Sequence, residues 1–310
     1  MTRFLARRLV YVAATMLVAS VILFLLFELS PRDVAVTVLG PYSTTEQRDL
    51  WLANNGYDRP AAQRYFDWLG RFVVGDWRTS RVYNEPVTRV VGKGLANTAI
   101  LAFWFFVLLI PLSLGLGVLA GMREGSRLDR VVSSVCVVSA SIPTFASTVF
   151  LSALFVFQLH WLPGTSSMID GFSFKELILP VLVLVLYDFG YVARITRASM
   201  VEVMTAPYVR TAVLKGLPYR RVIVRHALRN ALVTPVTVLL LHVNWLIAGV
   251  IVVEFFFAYK GFGSLILTGA LARDLFLLEA CTMVTVIIAV ATQTIADIAY
   301  TFLNPRIRLQ

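Results

Sequence analysis

Six apolar runs of roughly bilayer length dominate this chain of 310 residues, at 9–29, 96–120, 131–159, 177–193, 231–253 and 280–303. About 17–25 apolar residues in a helix cross the hydrocarbon core. Only helices and closed barrels satisfy every backbone N–H and C=O there. Charged residues make up 15% of the chain, against about 25% in soluble domains. The expected class is an all-α membrane protein with six transmembrane helices. The first run follows a basic leader with Arg3, Arg7 and Arg8. It is longer than the about 7–15 apolar residues of a cleaved signal peptide, so it reads as a retained span.

The placement of charge orients the spans. Arginines concentrate in the leader, in the loop 121–130 (Arg123, Arg127, Arg130), between Arg194 and Arg229, and in the tail (Arg306, Arg308), whereas 31–93 nearly balances its charges. Cytoplasmic loops carry the Lys/Arg excess. Six spans then put both termini and the central loop in the cytoplasm. The formal net charge of +10 is a topology signal. No basic surface interleaved with aromatics, of the kind single strands need, is present, and nucleic acid is not an expected partner.

Residues 31–95 differ from the rest. They are polar, of mixed charge, and rich in aromatics, including Trp51, Tyr57, Tyr65, Trp68, Phe72 and Trp77. Such a stretch is too polar to span and too aromatic for a loose tail. A small, mostly helical extramembrane subdomain on the far side is expected. Thr44 followed by Thr45, Glu46 and Gln47 marks a helix start with a reciprocal cap.

The stretch 207–230, PYVRTAVLKGLPYRRVIVRHALRN, lies between apolar runs and cannot cross the bilayer. A charged side chain costs about 2.5–3.5 kcal/mol at a helix centre. Two helix-like runs, 208–215 and 219–230, flank a break at Gly216, Leu217 and Pro218. Glycine ends a helix in a left-handed turn and proline suits the first turn of the next. Arg221, Arg225 and Arg229 recur every four residues and share one face, with Val222, Ile223 and Ala227 on a neighbouring face. One reading is a basic amphipathic helix resting on anionic membrane lipid. The other is a helix-turn-helix lug that docks a soluble partner.

Several chemistries have no residues to carry them. Gly92-Lys93 lacks the preceding glycine of a phosphate-binding loop, so the chain is not expected to hydrolyse ATP. His160, His226 and His242 lack metal-site spacing, and Cys136 and Cys281 lie singly in apolar runs. No catalytic residue, metal or cofactor is expected. Inside the runs stand Ser139, Ser141, Asp188, His242, Asn244 and Asp297, with Glu254 at the end of the fifth. Polar groups there face other helices or a wet cavity. Serine hydroxyls inside a span commonly bond their own preceding turn, or Ser139 and Ser141 form a weakly polar, kinked wall beside Pro143. Asp188, His242 and Asn244 are candidates for a translocation path or for helix pairing. Asp297 is read as structural, paired with an arginine of the central loop.

The stretch 207–230 resembles the coupling ("EAA") loop of ABC-transporter permeases, in the form carried by the dipeptide/oligopeptide and nickel permease family. The pattern Y-V-R-T-A-x-x-K-G-L, then R-x-x-x-x-H-A-L-R-N-A-L-x-P, is matched by Tyr208, Val209, Arg210, Thr211, Ala212, Lys215, Gly216 and Leu217, then Arg221, His226, Ala227, Leu228, Arg229, Asn230, Ala231, Leu232 and Pro235. Further matches are Tyr57-Asp58-Arg59-Pro60, Gly75-Asp76 with Thr79-Ser80, Ser141-Ile142-Pro143, Leu162-Pro163, Glu254 with Phe257, Gly261-Phe262-Gly263, and Arg273-Asp274. The chain departs from the pattern at Pro31-Arg32-Asp33, at Trp77 and Arg78, and at Lys260.

The resemblance implies a type I importer permease fold with an extracytoplasmic insertion after the first helix. It divides the chain into 1–30 (leader and first helix), 31–95 (insertion), 96–303 (core, with coupling loop 205–230) and 304–310 (tail). It implies a second homologous permease, two ATPase subunits at the cytoplasmic face and an extracytoplasmic solute-binding protein. Di- and oligopeptides are the expected cargo, with nickel chelates or oligosaccharides as alternatives on the same architecture. The other function classes are a proton-coupled secondary transporter and an assembly or sensor protein. The coupling loop, with Tyr208, Arg210, Thr211, Ala212, Lys215, Gly216, Leu217, Arg221, Arg225, His226, Arg229 and Asn230, has no use in a secondary transporter.

Overall fold

The computed structural model describes residues 2–28, 30–169 and 171–303. The described residues are helix and turn, apart from one isolated bridge between Thr79 and Pro86. Among the described residues four unbroken helices are long and apolar enough to cross a membrane, and the number is six if each of two bent helix pairs is one span. The chain forms two compact units. Among the described residues, one takes in 2–98 and 260–294, and the other 99–259 and 295–303.

The first unit contains α1 (Thr2–Glu28), α2 (Pro31–Leu39), α3 (Thr45–Asn54), α4 (Ala61–Val73) and the first turns of α5 (Val87–Gly121). The expected cap at Thr44 forms. Its backbone N–H donates to Gln47 Oε1 at 3.0 Å, and Gln47 N–H donates to Thr44 Oγ1 at 3.2 Å. α4 lies on α1 through aromatic edges: Phe24 meets Tyr65 at 5.4 Å and Trp68 at 6.0 Å between ring centroids. The hydroxyls of Ser20 and Tyr65 are hydrogen-bonded at 2.8 Å.

Two sequence boundaries move here. α5 begins at Val87, before the expected start of the second span, and runs unbroken through Pro111. The segment between the fifth and sixth apolar runs, 254–279, holds α13 (Phe262–Ala272), and the last helix starts at Leu275, before the sixth run. Apolar periodicity alone does not show where such a helix begins, because tertiary partners cap it. Phe262 N–H donates to Thr98 Oγ1 at 2.7 Å. Asp274 accepts from Leu277 N–H at 3.3 Å, and its other carboxylate oxygen holds Ser80 Oγ at 2.6 Å and Val82 N–H at 3.0 Å.

The second unit is organised around one helix, Phe174–Met204. It absorbs the fourth apolar run together with Arg194 and Arg197. The third run is sharply bent. It divides into α6 (Arg127–Ser141) and α7 (Thr144–Ser152, continued by a π-turn over Ala153–Gln158), which meet at 102°. Pro143 causes the break: it offers no N–H to the ladder, and it drives Ile142 to extended backbone, φ −91 and ψ 121. We label the Phe174–Met204 helix α8. It is the most buried of the single-helix spans, at 67% of its apolar window against 17% for α1.

Close backbone approach makes that burial possible. A Cβ built on Gly117 of α5 would lie 2.7 Å from Ala193 O, and one on Gly121 would lie 2.8 Å from Arg197 O. A Cβ on Gly190 of α8 would collide with the carbonyl oxygen of Cys136 on α6. Lipid tails are as apolar as leucine, so spans associate by tight packing at small residues. Around this seam lies a core of Leu101, Phe105, Leu109, Cys136, Leu184 and Val192.

Candidate functional site

The chain leaves α8 and enters α9 (Pro207–Leu214), then α10 (Tyr219–Arg221), a π-turn over Val222–Ala227 and α11 (Leu228–Ala231). α12 (Val233–Phe256) follows at a 44° bend. The expected two short helices with a break are thus present, with a π-turn in the second.

The break is built by a complete glycine C-cap. Gly216 has φ +73. Its N–H donates to Val213 O at 2.9 Å, and Leu217 N–H reaches back to Ala212 O at 3.4 Å. These are the two bonds of the Schellman motif, with Leu217 packed on the cluster that holds Ala212. Pro218 then caps the next helix with φ −60. The ends of the lug are tied: Asn230 Nδ2 donates to the Tyr208 hydroxyl at 2.9 Å. Thr211 Oγ1 bonds its own turn at Pro207 O.

The lug is fastened to α8. Val209, Ala212 and Val222 are buried together with Val203 and Met204 of α8. Ile223, Ala227 and Ala231 are buried around Met200 of α8. Ser199 Oγ donates to Ala231 O at 2.8 Å. Val222, Ile223 and Ala227, read from the sequence as a face beside the arginines, are buried here, and Ala212 is core rather than surface.

Arg210, Lys215, Arg220, Arg221, Arg225 and Arg229 are all exposed, His226 is half-buried, and 207–230 contains no acidic residue. Between the cations stand apolar side chains that the sequence reading did not single out: Leu214 is 79% exposed, Val224 59% and Tyr219 51%. Their signal was their misfit, since the buried stripe of the lug leaves them outside. Cations interleaved with exposed apolar groups suit a partner with acidic and apolar contacts.

A second feature missed by the sequence reading is a clamp at the same end of α8. The Arg197 guanidinium donates through Nε and Nη2 to both oxygens of Asp129, the second at 2.8 Å. Gly125 N–H donates to the same carboxylate at 2.9 Å. The Asp129 side chain is 5% exposed and that of Arg197 26%. Removing one partner of a buried pair costs about 3–5 kcal/mol, and partial exposure places this one at the low end. Arg197→Ala is therefore expected to lower the melting temperature of the detergent-solubilised protein clearly. Arg197→Lys should recover only part of the loss, because an ammonium lacks the two-pronged fork. Equal melting of Arg197→Ala and the parent would show that the clamp carries no stability.

The intramembrane polar residues fall into separate settings. Ser141 is exposed and donates to Val137 O of its own turn at 2.7 Å. Ser139 is buried and donates across to Leu186 O of α8. Asp188 of α8 and His242 of α12 meet, with Oδ1 and Nε2 3.2 Å apart. His242 Nδ1 lies 3.0 Å from Val238 O, a pure acceptor, so that nitrogen donates. The Asp188–His242 contact then holds one further proton between the two groups. Tyr191 stacks on the imidazole at 5.5 Å. Glu254 is fully buried near the end of α12, and Asp297 is half-buried on α14 (Leu275–Leu303). The side chain of Asn244 and the tail 304–310 lie outside the described residues.

Residues 113–309 match the family described as "Binding-protein-dependent transport system inner membrane component", and residues 1–106 match the description of its N-terminal part. A Brucella abortus (strain 2308) protein named for a peptide transport system permease is 33% identical over 99% of both chains. The oligopeptide transport system permease protein AppB of Bacillus subtilis is 30% identical over 99% of both. The glutathione transport system permease protein GsiC of Shigella flexneri is likewise 30% identical over 99% of both.

Proposed function

We propose, because this chain belongs to the family of binding-protein-dependent transport system inner membrane components, that it is the permease subunit through which an ATP-driven importer takes up di- and oligopeptides. The chain is a multi-pass inner-membrane protein and a non-catalytic transmembrane subunit, and the ATPase of its system is a separate subunit. Its system also includes a solute-binding protein. The finer assembly is part of the proposal: a second homologous permease beside this chain, two ATPase subunits below, and both termini in the cytoplasm. The domain reading follows the same logic, with 31–95 as the extracytoplasmic insertion and 205–230 as the coupling loop.

One observation carries the mechanism: the lug shares its buried core with the end of α8, the central helix of its unit. A motor that grips the exposed face of 207–230 moves α8 with it, because two joined hydrophobic clusters and the Ser199–Ala231 bond leave no slack between them. ATP binding closes the motors, draws the lug and opens the path toward the binding protein. Hydrolysis then resets it. Lys215, Arg221, Arg225 and Arg229 are the docking cations, and Gly216 sets the angle between the lug's helices. Asp188 with His242, and Ser139, serve as polar ties of α8 to its neighbours.

The test of cargo is uptake of labelled di- and tripeptides by cells lacking this chain, against the same cells complemented with it. Uptake should fall to background on deletion and return on complementation. Unchanged uptake, in cells with no redundant peptide system, would overturn the peptide reading and direct the same assay to nickel chelates and oligosaccharides. Uptake that survives loss of ATP but collapses with the proton gradient would instead favour a secondary transporter.

A further inference from the structure

The unit formed by 2–98 and 260–294 holds a cavity of about 180 Å³ between the turn 54–59, α4, the turn 76–78 and the start of α14. The transport mechanism above makes no use of it. Four arginines (Arg59, Arg64, Arg71 and Arg78) and three carboxylates (Asp67, Asp76 and Glu279) line it, leaving one formal positive charge in excess. Arg59 and Asp67 pair with each other at 3.1 Å on the solvent side.

Arg78 is the anomaly. Its backbone sits at φ +59, in the left-handed region, which costs a residue with a side chain about 1–2 kcal/mol. Such outliers persist only where their surroundings hold them, and they concentrate at functional positions. The surroundings here are rigid. The neighbouring Trp77 stacks on Phe72 at 4.9 Å and donates its indole N–H to Phe72 O at 2.9 Å. Arg78 O accepts from Val87 N–H at 2.9 Å. The strained backbone delivers the guanidinium over the Phe276 ring, 4.6 Å from its centroid. There Nη1 is buried with no hydrogen-bond partner among the described residues. A buried donor left unmade is costly, and more so when charged. The aromatic ring satisfies the face of the cation, but its edge N–H groups need an acceptor.

We infer that this cavity binds the carboxylate of a small organic acid or of a peptide chain end, with Arg78 as its anchor. A planar guanidinium matches a planar carboxylate, and one excess positive charge matches a monoanion. The volume suits one residue-sized group, since a cavity of about 150 Å³ admits benzene. The inference does not rest on the peptide reading of the transported solute.

The test uses the full chain in lipid nanodiscs and saturation-transfer NMR, which detects weak ligands. The probes are N-acetylglycine and N-acetyl-triglycine, each against its neutral carboxamide. Signal from an acid probe should saturate, exceed that of its amide at least fivefold, and fall at least fivefold in Arg78→Gly. Glycine occupies φ +59 freely, so that variant should melt no lower than the parent, and its loss of signal reports the guanidinium rather than the fold. The acid that binds more tightly identifies the source, a free acid or a chain end. Equal transfer from acids and amides, no saturable transfer from either acid, or undiminished binding in Arg78→Gly would overturn the assignment.

Discussion

Gly216→Glu is expected to cut solute uptake at least tenfold while the protein remains in the membrane at its normal level. Gly216 sits at φ +73, and a Cβ built there meets nothing within 4 Å. The substitution therefore creates no clash, and its cost is the left-handed backbone, about 1–2 kcal/mol. That does not unfold the spans, but it is enough to displace the turn. When the residue leaves the left-handed region, the bonds from Gly216 N–H to Val213 O and from Leu217 N–H to Ala212 O are lost together. The angle between α9 and the helix after Pro218 then changes. The new carboxylate also stands among Lys215, Arg220 and Arg221, whose charges the motor is proposed to read.

Two companions separate geometry from charge. Gly216→Asn should keep most uptake, because asparagine tolerates the left-handed region. Lys215→Glu leaves the turn intact, reverses an exposed charge and should still uncouple. The measurement is uptake alongside membrane abundance, with substrate-stimulated ATP hydrolysis in the reconstituted complex as the direct readout of coupling. Normal uptake by both Gly216→Glu and Lys215→Glu at equal abundance would remove the coupling role from this loop.

Gly190→Val should have the larger effect on the fold itself. The site is backbone against backbone: an added Cβ would strike the Cys136 carbonyl oxygen and sit 3.1 Å from Ser139 Oγ. Neither a carbonyl nor a helix axis yields as a flexible side chain does. α6 and α8 must separate, and the Ser139 bond to Leu186 O breaks with them. Overpacking a tight core costs about 1–3 kcal/mol, and the lost interhelical hydrogen bond adds about 0.6 kcal/mol. Gly190→Val protein should be depleted from membranes, and what survives should melt well below the parent in detergent. Gly115 is the control, because a Cβ there meets nothing within 4 Å. If Gly190→Val and Gly115→Val melt alike, the α6–α8 approach is not what holds this unit together.

Much of the site was legible because its signals are local. A glycine followed by Leu-Pro ends one helix and begins another by backbone sterics alone, so the turn at 216–218 could be read from residue types. Helical spacing separates the arginines of 219–230 from Val222, Ile223 and Ala227, and the structure leaves the first exposed and buries the second. What was not legible depends on residues distant in sequence. Asp129 acquires its role only where the fold brings it to Arg197. Leu214, Val224 and Tyr219 acquired meaning only once the lug had buried its other apolar residues against α8.

The sequence by itself determined the class, the apolar segments and the polar loop between them. Bilayer length, the cost of buried charge and turn stereochemistry act on neighbours in the chain. Tertiary structure decided which helix is central, that the third run turns by 102° at Pro143, where the helix within 254–279 begins and ends, and that Asp188 meets His242. These depend on pairings between surfaces that many apolar sequences share. In a membrane, where lipid and leucine are equally apolar, hydropathy cannot choose among such pairings. Close approach at Gly117, Gly121 and Gly190 and a few buried hydrogen bonds make the choice.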